Sequence, residues 1–198
     1  MCIRDRDGSH TRNGAADCAA SFLLGTLMSQ RKLRLGAFVM ATGHHIAAWR
    51  HPGSQIDSGT NLDHYIQVAQ TAERGLFDQI FLADSPGIHQ RLDDESISRQ
   101  GRLSHFEPVT LWAALAAVTR HIGFVATAST TYEDPYLLAR KFASLDHISK
   151  GRSAWNVVTT SAATVHGNFG LAAHPDPAVR YERAHEFVDV VKGLWDSC

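Results

Sequence analysis

Side chains that can hydrogen-bond or move protons follow four apolar runs of the sequence, at the point where each run ends. They are Thr42, His44 and His45 after the first run, Asp84 and Ser85 after the second, Thr127, Ser129, Thr130 and Thr131 at the third, and Asn156, Thr159, Thr160 and Ser161 at the fourth. Imidazole, carboxylate, hydroxyl and amide groups gathered in one place can hold a polar ligand, such as one carrying a phosphate. These residues are therefore the candidate site.

Asn156 is unusual among them because it is an amide inside an otherwise apolar strand pattern, AWNVV. A buried amide without hydrogen-bond partners costs about 1–3 kcal/mol. Either neighbouring backbone groups or a ligand must satisfy it, and the sequence leaves both explanations open.

The two loop histidines also have more than one explanation. His44 and His45 can be bonded to backbone, can act in catalysis, or can bind a metal together with Asp84 in a metal-dependent hydrolase. A zinc site needs three or four converging ligands, and the sequence contains no HExxH or CxxC motif. We therefore predict no metal site and rank the hydrolase third among the possible functions.

Alternating strand and helix patterns must position these residues. Strands are predicted at 33–40, 77–83, 122–128 and 152–160, and helices at 61–74, 107–119, 135–149 and 177–195. Gly75 and Gly151 follow two of the helices, and glycine is the usual left-handed residue that ends a helix.

Four consecutive βα units with short apolar strands are typical of a parallel α/β sheet covered by helices. We expect the first four units of a (β/α)8 TIM barrel. A doubly wound sheet is the alternative, but no glycine-rich dinucleotide motif follows the first strand. A whole barrel takes about 250 residues. Residues 28–198 are therefore expected to form the N-terminal half of a truncated barrel, and residues 1–27 a non-native or disordered extension.

The composition is that of a globular protein, with 44% hydrophobic residues, 20% charged residues and a net charge of −1. Without a basic stripe or a long apolar run, neither nucleic acid nor a membrane is an expected partner. Cys2, Cys18 and Cys198 form no pairing pattern, which favours a reducing, cytoplasmic location.

Several long motifs occur in order: FLADSPG, ATASTTYEDPYLLARKFASLDHISKGR, AWNVVTTS and RYERAHEF. Together they resemble the bacterial luciferase-like flavin monooxygenases. The resemblance is strongest to the nitrilotriacetate, dibenzothiophene-sulfone and long-chain alkane monooxygenases.

The resemblance implies reduced FMN (FMNH2), supplied by a separate NAD(P)H:flavin reductase. A C4a-(hydro)peroxyflavin formed with O2 then inserts one oxygen atom into a small organic substrate. It implies a homodimer or higher oligomer at full length, with this fragment alone inactive. The alternative is a non-catalytic flavin-binding barrel or an inactive fragment.

The same resemblance assigns residues. Asp84 and Thr127 match positions around the flavin, and Tyr181 matches a contact to its phosphate. His45 and Asn156 match polar positions beside the flavin ring, where catalysis takes place. Many relatives carry a histidine four residues before the tyrosine, and Pro177 stands at that position here.

Overall fold

The computed structural model of the protein describes residues 33–45, 47–88, 95 and 103–197. Contacts divide the chain into residues 1–34 and residues 35–198, and every element below lies in the second unit. The expected N-terminal extension and the three cysteines lie outside the described residues, as does most of the predicted loop 88–106.

The sheet consists of four parallel strands in the order in which they occur along the chain. The strands are β1 (Gly36–Val39), β2 (Gln79–Leu82), β3 (Gly123–Ser129) and β4 (Ser153–Val158). Sequential order with a helix between neighbouring strands is the arrangement of a (β/α)8 barrel, whereas a doubly wound sheet reverses its order. The predicted α/β class and strand order are confirmed.

In the described ranges of more than one residue, four α-helices follow the strands, and two 3-10 helices lie in the loops. They are α1 (Leu62–Arg74), α2 (Pro108–Ala116), α3 (Pro135–Ser149) and α4 (Pro177–Asp196), with 3-10 turns at Ala48–Arg50 and Ala163–Phe169. No helix within these described ranges has the length and apolarity that a membrane crossing requires.

Side-chain caps set the starts of three helices. The Asn61 side chain accepts from the amide of His64 at α1, and Asp134 accepts from that of Leu137 at α3. Glu107 accepts from the amides of Val109 and Thr110, so it is the cap of α2 and not its first residue. These bonds satisfy amides that have no partner within the helix.

The ends of two helices differ from the prediction. Leu76 (φ 59°) and Lys150 (φ 59°) take the left-handed conformation that glycine was expected to supply, although Gly151 (φ 84°) also has a positive φ. Gly75 has an ordinary φ of −76°. After Lys150, the amide of Gly151 bonds back to the carbonyl of Asp146, closing the last turn of α3.

The two faces of the sheet are chemically different. Ile80, Leu82, Phe124 and Ala126 are buried in the core beneath the helices. Trp155 points the same way, since its ring packs against Phe142 of α3 and Phe187 of α4. Because side chains alternate along a strand, Phe38, Phe81, Thr127 and Asn156 lie on the opposite face.

Three of the four strands are shorter than predicted, mainly at their amino ends, whereas β3 keeps its length and is shifted by one residue toward the carboxyl end. β4 ends at Val158 because Thr160 turns the chain with a φ of 54°. These turns begin the loops that carry the polar residues.

Candidate active site

The register of the sheet brings Thr127 and Asn156 directly opposite each other on neighbouring strands. The Asn156 side-chain amide donates to the Thr127 hydroxyl at 3.0 Å, and that hydroxyl donates to the carbonyl of Leu82 at 2.8 Å. Thr127 has therefore used its single hydrogen, and it can meet a ligand only as an acceptor. The side-chain carbonyl oxygen of Asn156 remains available to a ligand. The sequence left backbone groups or a ligand as possible partners of this amide, and the structure shows a side-chain hydroxyl instead.

Asp84 lies just past the end of β2, at the same edge of the sheet. Its Oδ1 atom is 2.7 Å from Nε2 of His105, which lies two residues before the N-cap of α2. Both side chains are largely shielded, with 19% and 30% of their surfaces exposed. The bond to Asp84 raises the pKa of His105, and this effect outweighs burial, which acts in the opposite direction. The pair therefore favours a charged imidazole beside a carboxylate.

Backbone contacts fix the segment that carries His105. The amide of Phe106 donates to the carbonyl of Gly59 at 3.1 Å, and a Cβ on Gly59 would lie 1.9 Å from the Ser104 carbonyl oxygen. Only glycine permits this close approach of two backbones.

Arg180 and Arg183 of α4 fasten the loops that follow β3 and β4. Arg180 is 8% exposed, and its guanidinium donates to the carbonyls of Thr159 (3.1 Å), Thr160 (2.7 Å) and Pro175 (3.0 Å). Arg183 donates to the carbonyl of Thr130 at 2.9 Å. Arginine suits this task because its planar group carries five donors.

These contacts shape a cleft of about 380 Å³ at the strand ends. Its walls are Asp84, Ser85, Tyr181 and the chain from Val157 to Ala162. The Ser85 hydroxyl is buried and has no hydrogen-bond partner among the described residues. An unpaired buried hydroxyl beside a carboxylate suits a polar ligand that can both accept and donate hydrogen bonds.

His174 and Tyr132 lie next to this cleft, joined by a bond of 2.6 Å between Nδ1 and the phenol oxygen. Desolvation lowers the pKa of His174, and the positive charges of Arg180 and His166 act in the same direction. Desolvation also raises the pKa of Tyr132. Both shifts favour the neutral form of the side chain, so neither His174 nor Tyr132 adds a charge to that of Arg180.

The two loop histidines occupy separate depressions. Nε2 of His44 lies 2.9 Å from the carbonyl of Phe38, and the His44 ring packs edge-on against Phe38, so this histidine is bonded to backbone. His45 lines a second depression, which we name the His45–Arg50 depression; its walls are Thr42, His45, Ala47, Ala48, Arg50, His51 and Ser54.

His44, His45 and Asp84 line three different recesses. Within the described ranges, no cluster of three or more histidine, cysteine or acidic side chains could hold a metal ion. The three residues therefore give no support to the metal-dependent hydrolase.

Two residues of the site were missed in the sequence, His105 and Arg180. His105 lies in a segment without a legible pattern, and its partner is 21 positions away. Arg180 belongs to the RYERAHEF motif, next to Tyr181, so a signal was present. Its burial could not be inferred from a helix in which most of the neighbouring residues are exposed.

Comparison with known proteins adds a family context. Residues 37–197 match the family model described as luciferase-like monooxygenase. N-acetyl-S-(2-succino)cysteine monooxygenase of Bacillus subtilis (strain 168) is 51% identical over 168 residues, which are 85% of this chain and 37% of that protein. Nitrilotriacetate monooxygenase component A of Aminobacter aminovorans is 43% identical over 175 residues, 85% of this chain and 39% of that protein.

A solved structure agrees with the sequence match. The crystal structure of a riboflavin lyase with modified FMN and riboflavin superposes with a TM-score of 0.75 at 37% identity, covering 83% of this chain and 38% of that one. The chain spans about two fifths of the length of the curated relatives it matches.

Proposed function

Because this chain belongs to the luciferase-like monooxygenase family, we propose that it is part of the oxygenase component of a two-component, FMNH2-dependent monooxygenase. The enzyme inserts one oxygen atom from O2 into a small organic substrate. Residues 28–198 contribute the first four βα units of its barrel. The observation that carries the proposal is that Asp84 and Tyr181 line one cleft with an unsatisfied buried hydroxyl, at the carboxyl ends of the strands. Thr127 and Asn156 do not line this cleft; they are bonded to each other on the neighbouring strands β3 and β4.

The residues of the cleft fit FMN chemically. Asp84 and the unpaired hydroxyl of Ser85 offer an acceptor and a donor for the polar edge of a flavin or its ribityl chain. Tyr181 is 61% exposed on the rim, where its hydroxyl is free to meet a phosphate. Arg180 places a positive charge behind the cleft wall, against the carbonyls of Thr159 and Thr160, and this charge favours an anionic group.

Bound reduced FMN supplies the electrons with which O2 is split between product and water. The residues of the chain position the cofactor. Thr127 holds the Asn156 amide through the bond of 3.0 Å, so that the carbonyl of Asn156 can accept a hydrogen bond from the cofactor ring. His105 similarly holds Asp84.

His45 is proposed to act on the substrate side as a hydrogen-bond donor. Its Nδ1 accepts from the amide of Ala47 at 3.1 Å, so in the neutral ring the hydrogen is on Nε2. This tautomer favours donation over proton abstraction.

We further propose an NAD(P)H:flavin reductase as the partner that delivers FMNH2. The name of the Aminobacter relative, a component A, supports a system of more than one protein. A homodimer or higher oligomer and a cytoplasmic location remain our predictions.

Anaerobic titration of the full protein with FMNH2, followed by mixing with O2, tests the proposal. We expect saturable binding, and oxygenated product when a substrate is present. The matched variants are N156L, which removes the amide at similar volume, and S144A on the exposed face of α3. N156L should weaken binding or turnover while S144A leaves both unchanged.

Other results would contradict the proposal. Binding of FMNH2 without oxygen transfer to any organic substrate would favour the alternative, a non-catalytic flavin-binding barrel. Absence of flavin binding would exclude both.

A further inference from the structure

The His45–Arg50 depression has a chemistry of its own, distinct from that of the cleft beside Asp84. We propose that it is a binding site for a carboxylate group of the substrate. This inference deepens the proposed function and rests on it for the identity of the ligand as a substrate.

Two histidines in the depression present hydrogen-bond donors. Nδ1 of His51 accepts from the amide of Gly53 at 3.1 Å, just as Nδ1 of His45 accepts from that of Ala47. A backbone N–H can only donate, so each neutral ring carries its hydrogen on Nε2. Within the described part of the chain neither Nε2 atom has a partner. The local backbone therefore fixes both imidazoles as donors for an external acceptor.

Thr42 supplies an independent observation that a ligand oxygen belongs here. The residue is 8% exposed, and its hydroxyl is buried without a hydrogen-bond partner among the described residues. It lines this depression as well as the adjoining one that contains His44. An unpaired buried hydroxyl costs about 1–3 kcal/mol, and a bound oxygen would remove that cost.

Arg50 supplies the charge. Its guanidinium lies over the ring of Trp49, 5.0 Å from the ring centre, and no carboxylate of the described residues pairs with it. The acidic residue of the same loop, Asp57, does not line the depression, and it accepts hydrogen bonds from Gln55 and Asn61. The walls thus carry the guanidinium of Arg50 and four further side chains that can donate, those of Thr42, His45, His51 and Ser54, without an acidic side chain.

This set of donors selects a carboxylate. A planar guanidinium matches the two oxygens of a carboxylate, and charge-assisted bonds of this kind are about twice as strong as neutral ones. The depression lies in the loop that follows β1, at the edge of the sheet that holds the candidate cofactor cleft. A substrate anchored here by its carboxylate would have His45 beside it.

Calorimetric titration of the full chain with succinate, with neutral succinamide as the matched probe, tests the proposal. We expect succinate to bind and succinamide not to bind. R50Q should weaken succinate binding about tenfold or more, the effect of losing one charge-assisted bond. T42V should weaken it several-fold. R120Q, which removes the same charge before β3 at the opposite end of the sheet, should leave it unchanged.

Three results would overturn the proposal: equal binding of succinate and succinamide, equal binding by R50Q and the unaltered protein, or Arg50-dependent binding of inorganic phosphate that is tighter than that of succinate. The last would identify a phosphate site instead. FMNH2 titration of R50Q separates this proposal from the broader one. Unchanged flavin affinity with lost succinate binding supports the carboxylate site, whereas a protein that binds succinate but no flavin refutes only the proposed function.

Discussion

At the scale of single residues, the hydroxyl of Thr127 connects two strands and determines where the Asn156 amide can lie. It accepts from Asn156 and donates to the carbonyl of Leu82, so both of those groups depend on one oxygen atom. No other candidate residue of the site joins β2, β3 and β4 in this way among the described residues.

T127V keeps the shape of this side chain but removes the hydroxyl. We expect a loss of about 1–3 kcal/mol in the free energy of unfolding, because the Leu82 carbonyl and the Asn156 amide lose their partner. FMNH2 affinity should fall as well. Urea unfolding and flavin titration measure the two effects. The control is T71V on the exposed face of α1, and equal stability of both variants would contradict this role.

The bond between His105 and Asp84 predicts a dependence of stability on pH. Because the pKa of His105 in the folded protein is raised above 6.5, its contribution is fully present below pH 6.5 and is lost as the pH rises through the raised value. H105N should therefore lose more free energy of unfolding, relative to the unaltered protein, at pH 5.5 than at pH 9. Urea unfolding at the two pH values measures this loss.

The exposed histidine of α4 provides the comparison, since H185N removes an imidazole without touching Asp84. If the stability difference between H105N and the unaltered protein is the same at both pH values, the pair does not titrate as described.

At the scale of elements, the loops are held by close contacts that differ from loop to loop. Gly59 lies against the backbone of Ser104, and Arg180 holds the turn at Thr160, a β-branched residue with a positive φ. A left-handed threonine is strained and persists only where its surroundings impose it. This strain lies in the wall of the proposed cofactor cleft.

G59A should destabilise the protein by about 1–3 kcal/mol, because the added methyl group would collide with the Ser104 carbonyl and displace the segment carrying His105. Thermal unfolding measures the loss. G193A is the matched control, since a Cβ at Gly193 of α4 meets nothing within 4 Å and should stabilise that helix. Similar behaviour of the two variants would contradict the close approach.

The sequence predicted the elements well, because local signals determine them. The bounds of α3 match the prediction, and those of α1 and α4 differ from it by one residue. Local signals do not contain the partner of a side chain across the fold. The bond from His105 to Asp84, and the carbonyls that surround Arg180, depend on packing between distant segments and so escaped prediction.

At the scale of the whole molecule, the two ends of the sheet have different tasks. The carboxyl ends carry the polar recesses. At the amino ends, Glu73 accepts from the amides of Arg120 (2.8 Å), His121 (2.6 Å) and Ile122 (3.1 Å), and the guanidinium of Arg152 donates to several groups, including the carbonyls of Ala116 and Ile122. These bonds join neighbouring βα units.

E73Q should lower stability near neutral pH while leaving FMNH2 affinity unchanged. Burial acts to raise the pKa of Glu73, but the three backbone bonds outweigh it and hold the pKa below 4.5 in the folded protein. The stabilisation is therefore present above pH 4.5 and is lost as the pH falls through the lowered value. Urea unfolding of E73Q and the unaltered protein, measured from pH 7 downward, should show their stability difference disappearing. A stability difference that stays constant with pH would contradict this role of Glu73.

The sequential order of the strands also has a consequence for biosynthesis. Each strand pairs with the one made just before it, so every new βα unit finds its docking edge already synthesised. The length of chain between two pairing strands is then short at every step, and the protein can add one unit at a time as it leaves the ribosome. A half-made sheet of this kind always has an open growing edge at its newest strand, which is where a nascent chain would need protection from premature association.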